Sequence, residues 1–246
     1  MDLTSLRNIV SSTYLEFPHR QQVSSRACSK KFNYSILRPT CERYIMKEPF
    51  DSFIKKELEP RTLLITCGLP ASYKTETSEE VARIKGYPIL RSDLIRLEVL
   101  KNENIFDAKV AGNISKRLSV YDELFRRADD LSAKGKGGLI LDATFVTQEL
   151  RRRAAEIAAK NNMNFVILQT SCPQEVSIAR IMKRTKEKYE SNALTEEAYL
   201  ANKNKFEPVG VDDLKKKYPT LKVTHLTVDT CHDETDRWYV VGVEKR

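Results

Sequence analysis

From Thr62 onward the chain alternates between short apolar runs and longer amphipathic stretches. The apolar runs predict strands near residues 62–67, 88–91, 138–142, 164–170 and 222–228. Between them, apolar residues recur at three- and four-residue steps, most regularly from Ile114 to Leu131, which predicts helices with one apolar face. Alternating strands and helices are typical of βαβ units, so the pattern predicts an α/β fold built on a parallel sheet.

Residues 1–58 show no sustained period of either kind. We therefore predict an N-terminal extension over 1–58, of uncertain structure, and one domain over 59–246. The extension carries a basic cluster interleaved with Phe32 and Tyr34, namely Arg26, Lys30, Lys31, Arg38 and Arg43. Charge combined with aromatic rings fits contact with a single-stranded nucleic acid, and an ordinary solvated surface segment explains the same residues.

Composition limits the classes of protein that the chain can belong to. The 246 residues carry a formal net charge of +8, which permits an anionic partner without selecting among nucleic acid, nucleotide and membrane surface. No apolar run reaches membrane-spanning length, and the start MDLTSLRNIV lacks the features of a signal peptide, so we expect a cytoplasmic protein without a membrane partner. The five cysteines show neither paired spacing nor His-linked spacing, which argues against a disulfide framework and a zinc site.

The segment LLITCGLPASYKT, residues 63–75, is close to a phosphate-binding loop of the form G-x-x-x-x-G-K-[ST]. Gly68, Lys74 and Thr75 match that pattern, whereas Tyr73 stands in the place of the second glycine. The apolar run before the loop and the amphipathic stretch after it are the strand and helix that such a loop requires. The predicted nucleotide-binding residues are Gly68, Leu69, Pro70, Ala71, Ser72, Tyr73, Lys74 and Thr75. An ordinary turn with a solvated Lys74 is the alternative.

Two acidic residues follow predicted strands. Asp93 lies in RSDLIR, and Arg96 is on the same helical face three residues later. Asp142 ends the run GGLILD, at the sheet edge where open α/β folds bind ligands. Asp93 could accept a proton from an attacking hydroxyl, Arg96 could hold an anionic group, and Asp142 could organise Mg²⁺. Helix capping by both acids and an ordinary surface arginine are the alternatives.

Arginines mark two of the later helices. Arg180 and Arg184 lie one turn apart and project on one side of their helix, before a polar stretch. In a phosphoryl-transfer enzyme such a pair belongs to a mobile lid, here near 180–206, although plain surface arginines would look the same. The run 151–153 also begins a helix, and at most one or two of its three arginines can face a site.

Residues 60 to about 230 resemble the kinase-type P-loop ATPases, which include polynucleotide 5′-hydroxyl kinases and zeta-toxin kinases. The resemblance rests on the order GLPASYKT, RSDLIR, LDATF and ARIMKR. It implies a five-stranded parallel sheet in the order 2-3-1-4-5 with helices on both faces. It also implies that Asp93 is the general base, that Arg96 binds phosphate, that Asp142 is the second acid, and that Arg180 and Arg184 are lid arginines.

These observations predict a phosphotransferase that uses ATP and Mg²⁺, with Thr75 and Asp142 at the metal, and moves the γ-phosphate to a hydroxyl acceptor. The D-x-x-R element and the basic balance favour a nucleic acid 5′-hydroxyl as acceptor. A small-molecule kinase acting on a sugar, nucleotide or antibiotic is the alternative. Tyr73 and the unmatched extension motivate a third hypothesis, a non-catalytic nucleotide-binding or partner-binding module. The oligomeric state does not follow from the sequence.

Overall fold

The computed structural model describes residues 42–105, 107–183 and 195–246, and its centre is a seven-stranded sheet. The strands are β1 (Glu42–Pro49), β2 (Thr62–Cys67), β3 (Ile89–Arg91), β4 (Leu139–Asp142), β5 (Asn164–Ser171), β6 (Val223–Asp229) and β7 (Tyr239–Lys245). The helices are α1 (Phe50–Glu57), α2 (Lys74–Lys85), α3 (Ser92–Val99), α4 (Ala108–Gly112), α5 (Ile114–Lys134), α6 (Gln148–Lys160), α7 (Gln174–Met182), α8 (Glu196–Lys205) and α9 (Val211–Lys217), with a 3₁₀ turn at Thr235–Arg237.

The sheet order is β1-β7-β6-β5-β2-β4-β3. The predicted α/β class is confirmed, but the predicted count of five strands is wrong, and the predicted order does not describe the whole sheet. The five strands from β3 to β6 pair in parallel and follow one another in the relative order that the resemblance implied. Two further strands, β7 and β1, extend the sheet beyond β6 with antiparallel pairing.

Part of the predicted N-terminal extension belongs to this sheet. Residues 42–49 form β1 at the sheet edge, and residues 50–57 form α1, whose Phe50, Phe53 and Ile54 are buried. A bulge between Ile45 and Glu48 interrupts the pairing of β1, which is common in edge strands. The basic cluster of the extension lies outside the described residues except for Arg43, which lies in β1.

Two apolar layers enclose the parallel strands. Side chains alternate along β2, so that Leu63 and Ile65 join one layer and Leu64 joins the other. The first layer includes buried residues of α3, α5, α6 and α9, and the second includes residues of α1, α2, β6 and β7. The helices therefore cover both faces of the sheet, as predicted, and the carboxyl ends of the parallel strands meet at one edge.

Helix ends follow local chemistry. Gly86 adopts a left-handed conformation, with φ at 69°, and its N–H closes α2 on the Ala82 carbonyl. Asn113 caps α5 by accepting a hydrogen bond from the Lys116 N–H. Throughout the described parts of the chain, every helix falls short of the length and apolar character that crossing a bilayer requires.

Candidate active site

The segment from Gly68 to Tyr73 joins the carboxyl end of β2 to the amino end of α2. All six residues of β2 are buried, which fixes the point where the loop begins. Helix α2 starts at Lys74, so its first unpaired N–H groups and the positive end of its dipole point toward the loop. This is the strand, loop and helix arrangement that binds phosphate groups.

Close packing explains the glycine at position 68. Its φ of +147° is strained for other residues, and a Cβ there would lie 2.5 Å from Thr170 Oγ1 and 2.8 Å from the Thr170 carbonyl oxygen. Ser72 stabilises the turn, since its hydroxyl donates to the Leu69 carbonyl at 2.7 Å and lies 2.6 Å from Thr170 Oγ1. The loop is thus built tightly against the end of β5.

The side chain of Lys74 bonds within the loop, and the side chain of Thr75 connects α2 to β4. The Lys74 Nζ donates to the Leu69 carbonyl at 2.7 Å, so the ammonium group lies across the loop. The Thr75 hydroxyl donates to Asp142 Oδ2 at 2.7 Å, which ties the first turn of α2 to the end of β4. The structure therefore brings together three side chains that the sequence predicted for one site.

Asp142 is buried, with 6% of its surface exposed, and lies at the end of β4 beside β2. Thr66 Oγ1 lies 3.1 Å from Asp142 Oδ1, on the other side of the carboxylate from Thr75. Burial raises the pKa of Asp142, while the charge of Lys74 lowers it and the charge of Asp93 raises it further. A buried carboxylate whose ionised form is disfavoured gains stability from a cation.

The oxygen donors around Asp142 fit Mg²⁺. A carboxylate and a threonine hydroxyl are hard ligands, and Mg²⁺ in nucleotide sites usually takes one or two carboxylates together with water and phosphate oxygens. In the described ranges, no group of three or more His, Cys, Asp or Glu side chains forms a metal site of its own. Thr75 and Asp142 therefore fit a Mg²⁺ ion that takes its other oxygens from water and phosphate.

Asp93 and Arg96 lie in α3, which follows β3. Arg96 Nη2 donates to Asp93 Oδ1 in an ion pair, and both side chains are largely buried, with 18% of Arg96 and 28% of Asp93 exposed. The influence of Asp93 on the pKa of Asp142 shows that the two acids share one electrostatic environment. Arg96 Nη1 is buried and has no hydrogen-bond partner among the described residues.

Other residues at this edge were missed by the sequence analysis. Arg91 is the last residue of β3, in register with Asp142, and its Nε lies 3.9 Å from Asp142 Oδ2. Tyr121 of α5 has its hydroxyl 3.4 Å from Thr144 Oγ1, and burial raises the pKa of that phenol while Arg117 and Arg96 lower it. The position of Arg91 at the carboxyl end of an apolar strand was the available signal, whereas Tyr121 looked like one more apolar residue of α5.

A buried arginine braces the loop that follows Asp142. Arg151 is completely buried and donates to the carbonyls of Phe145 at 3.0 Å, Glu207 at 2.8 Å and Pro208 at 2.9 Å. Phe145 has a positive φ of 42°, which is unusual for a bulky residue. Arg151 therefore joins the loop after β4 to the segment after α8, a role that the run of three arginines did not indicate.

The ring of Tyr73 points away from the phosphate side of the loop. It packs against Trp238, with ring centroids 5.6 Å apart, and its hydroxyl donates to Asp233 Oδ1 at 2.8 Å. Burial, followed by the hydrogen bond to Asp233, raises the pKa of Tyr73 to about 12. The bulky residue at the glycine position thus leaves the loop uncovered on the side of Lys74.

Of the two predicted lid arginines, Arg180 lies in α7 and Arg184 lies outside the described residues. The Arg180 guanidinium stacks over the Tyr73 ring at 3.9 Å from its centroid and pairs with Asp233. It also donates to the carbonyls of Ala71, Thr230 and Cys231. In this state its N–H groups are directed at the protein, so the predicted contact with a transferring phosphoryl group stays a prediction.

A cleft of about 180 Å³ lies at the opposite edge of the sheet. Its walls include Thr62, Asn164 and Val223, which begin β2, β5 and β6, so it opens at the amino ends of the strands. Open α/β sheets bind ligands at the carboxyl ends, where Lys74 and Asp142 lie. The cleft is therefore separate from the candidate site.

Residues 63–209, more than half of the chain, match the family model described as an AAA domain. A candidate kinase from Chloroflexus aurantiacus j-10-fl is 18% identical, with 70% of this chain and 90% of that chain covered and a TM-score of 0.54, which shows a shared fold. A sugar kinase from Janibacter sp. HTCC2649 is 18% identical, with 70% and 86% covered and a TM-score of 0.49. A gluconokinase from Sinorhizobium meliloti 1021 is 15% identical, with 70% and 84% covered and a TM-score of 0.48. None of the curated proteins matches the chain.

Proposed function

Because the chain belongs to the AAA domain family and has a P-loop kinase-like fold, we propose that it transfers the γ-phosphate of ATP to a hydroxyl group of a small molecule, with Mg²⁺ as cofactor. The observation that carries the proposal is the bond from Thr75 to Asp142, at 2.7 Å, at the edge that also holds Lys74 and Asp93. A turn without a ligand has no physical need for a buried carboxylate, a lysine and a second acid in one place.

In this proposal the loop and α2 bind the nucleotide. The backbone N–H groups of residues 68–75, apart from Pro70, which has none, and the amino end of α2 bind the phosphates, and Lys74 neutralises the β- and γ-phosphates. Thr75 and Asp142 hold the metal ion. When bound, Mg²⁺ supplies positive charge that offsets the negative charge of the phosphate oxygens.

Asp93 is the proposed base. It takes the proton from the acceptor hydroxyl while the acceptor oxygen forms its bond to the γ-phosphorus and the bond from that phosphorus to the β,γ-bridging oxygen breaks, which releases ADP. Arg96 holds Asp93 in place through their ion pair, and its charge favours an acceptor that carries an anionic group.

The surroundings of Asp93 favour a small acceptor over a polymer. Single-stranded nucleic acids bind to aromatic platforms in basic grooves, and none of the most exposed large apolar side chains in the described parts of the chain is aromatic. Arg96, which pairs with Asp93, and Arg117 both lower the pKa of the buried Tyr121 phenol, so two positive charges lie in the neighbourhood of Asp93. This charge favours a small hydroxyl compound that carries a carboxylate or phosphate.

The test is a transfer assay with γ-labelled ATP and a panel of acceptors: sugars with their acidic derivatives, nucleosides with their monophosphates, and 5′-hydroxyl oligonucleotides. We expect labelled product from acidic small molecules and faster transfer to them than to their neutral counterparts. Transfer to oligonucleotides alone, with an affinity that falls steeply with salt, would establish the nucleic acid alternative instead.

Asp93→Asn examines the chemistry, with Glu98→Gln on the same helix as the matched control, since exposed Glu98 pairs only with Arg127 among the described residues. Asp93→Asn should abolish most transfer while ATP binding persists, and Glu98→Gln should retain transfer. Equal turnover in wild type and Asp93→Asn would remove Asp93 from the role of base. If millimolar ATP with Mg²⁺ gives no thermal stabilisation of the wild type, a non-catalytic module becomes the better explanation.

A further inference from the structure

The backbone of Tyr73 adopts a strained conformation, and the contacts of its side chain can offset the cost in free energy. Its φ of 59° and ψ of 38° lie in the left-handed region, which glycine adopts freely and other residues adopt at a cost. The same position is glycine in loops of this pattern. A tyrosine keeps such a conformation only when contacts with its surroundings offset the strain. We therefore expect the contacts of the ring to have a structural or functional role.

The ring lies between a cation and an aromatic side chain. The Arg180 Cζ atom lies 3.9 Å from the ring centroid, which is well inside the range of cation–π attraction. The Trp238 ring lies 5.6 Å away at an angle of 33°, and Trp238 is itself buried. The phenol hydroxyl donates to Asp233, which also accepts from Arg180 Nε at 3.0 Å.

Arg180 connects three segments through its remaining donors. Nη1 donates to the Ala71 carbonyl in the phosphate-binding loop at 3.3 Å. Nη2 donates to the carbonyls of Thr230 and Cys231 after β6, at 2.9 and 3.0 Å. Since the side chain is 10% exposed, these bonds are shielded from water, and they hold the loop, α7 and the segment after β6 together.

We propose that Tyr73 is a positioning residue that holds Arg180, and that Arg180 in turn holds the phosphate-binding loop against the segment 230–238. We call this arrangement the Tyr73–Arg180 latch, formed by Tyr73, Arg180, Asp233 and Trp238. It rests on the proposed nucleotide site, because its effect is to keep the loop in its phosphate-binding shape. Glycine at position 73 would relax the backbone, yet it would leave Arg180 and Trp238 without their partner.

The test compares Tyr73→Gly, Tyr73→Phe, Arg180→Met and the double variant Tyr73→Gly/Arg180→Met, with Arg83→Met on α2 as the control, because Arg83 is exposed and pairs with Glu80. Trp238 is the only tryptophan of the chain, so its fluorescence reports the latch directly during a titration with MgATP. KM for ATP and kcat are measured on the same proteins.

Tyr73→Gly should weaken MgATP binding about tenfold although it restores the loop motif, with kcat at saturating ATP nearly retained. Tyr73→Phe, which keeps the ring, should show an intermediate loss, and Arg83→Met none. Arg180→Met should weaken MgATP binding to the same extent as Tyr73→Gly, and the double variant should bind no worse than either single variant. Tighter binding by Tyr73→Gly, or full additivity in the double variant, would overturn the proposal. A large fall in kcat for Arg180→Met at unchanged ATP affinity would assign Arg180 to the phosphoryl group instead.

The Tyr73–Arg180 latch can be tested even if the proposed function is wrong. If the wild type binds no ATP, the wild type, Tyr73→Gly, Arg180→Met and the double variant are compared by urea unfolding, which needs no ligand. The two substitutions should then be non-additive in the free energy of unfolding, because each removes the same contact. Additive effects in that measurement would show that Tyr73 and Arg180 are not coupled.

Discussion

Arg151→Met should destabilise the protein strongly, because Arg151 is a buried cation that bonds mainly to carbonyl oxygens and has no carboxylate partner among the described residues. It donates to the backbone carbonyls of Phe145, Glu207 and Pro208, and more weakly to those of Val146 and the Gln148 side chain. Val146 keeps a second donor after the substitution, since the Glu207 N–H also reaches its carbonyl at 2.8 Å. Three backbone carbonyls therefore lose the donor that Arg151 provides, although that of Phe145 keeps the weak thiol donor of Cys67 at 3.7 Å.

The magnitude follows from those three carbonyls. A buried polar group without its partner costs about 1–3 kcal/mol, so the three together cost at least about 3 kcal/mol. Removing a buried charge that has no carboxylate partner offsets part of this loss. We expect the free energy of unfolding to fall by about 2–4 kcal/mol, and the melting temperature of a domain of this size to fall by roughly 5–15 °C.

The assay is urea unfolding followed by far-ultraviolet circular dichroism. Arg152→Met is the matched control, since Arg152 is the next residue and pairs with Asp213 and Glu149 at the surface. Its loss of stability should be clearly smaller. If Arg151→Met is as stable as Arg152→Met, the carbonyls have found water or other donors, and the bracing role of Arg151 is wrong.

Three further outcomes are expected. Gly68→Ala should abolish ATP-dependent thermal stabilisation, because the added Cβ would lie 2.5 Å from Thr170 Oγ1 at a φ of +147°; unaltered stabilisation would contradict the tight loop. Thr75→Ala should lose the Mg²⁺-dependent part of ATP binding in calorimetry, whereas Thr75→Ser, which retains the hydroxyl, should keep most of it. Asp142→Asn should stabilise the ligand-free protein at neutral pH. Burial raises the folded-state pKa of Asp142, so the contribution of this carboxyl group to stability is present at low pH and is lost as pH rises through that pKa. The free energy of unfolding, measured at acidic and at neutral pH, should be higher for Asp142→Asn than for the wild type only at neutral pH. A higher value at every pH would contradict burial as the cause.

The parallel half of the fold was predictable because its signals are local. Apolar runs marked β2, β4 and β5, and the spacing of Ile114 and Leu118 with later apolar residues marked α5. Strand β1 gave no such signal, since the side chains of residues 45–49 are exposed or half-buried and the strand pairs with β7 at the far end of the sequence. Its assignment required the partner strand, which a local pattern does not contain.

Some features of the candidate site were likewise predictable from the sequence, and others were not. Lys74, Thr75 and Asp142 follow from strand ends and motif spacing, and the structure brings them together. The burial of Arg151 depends on carbonyls from 145 and from 207–208, and the direction of the Tyr73 ring depends on Trp238. Neither long-range partner is implied by the residues near it, so both features were beyond sequence reasoning.

The contact between Tyr73 and Asp233 also affects the order in which the protein acquires its function during synthesis. The two residues are 160 positions apart, so at typical rates of translation Asp233 is added roughly 8–32 s after Tyr73. Until then β2, the phosphate-binding loop and α2 can form while the loop still lacks the side chains that hold Arg180. The candidate nucleotide site is therefore among the first parts of the domain to be made and among the last to be completed, and a ribosome stalled before residue 233 would carry a chain with the motif but without its finished shape.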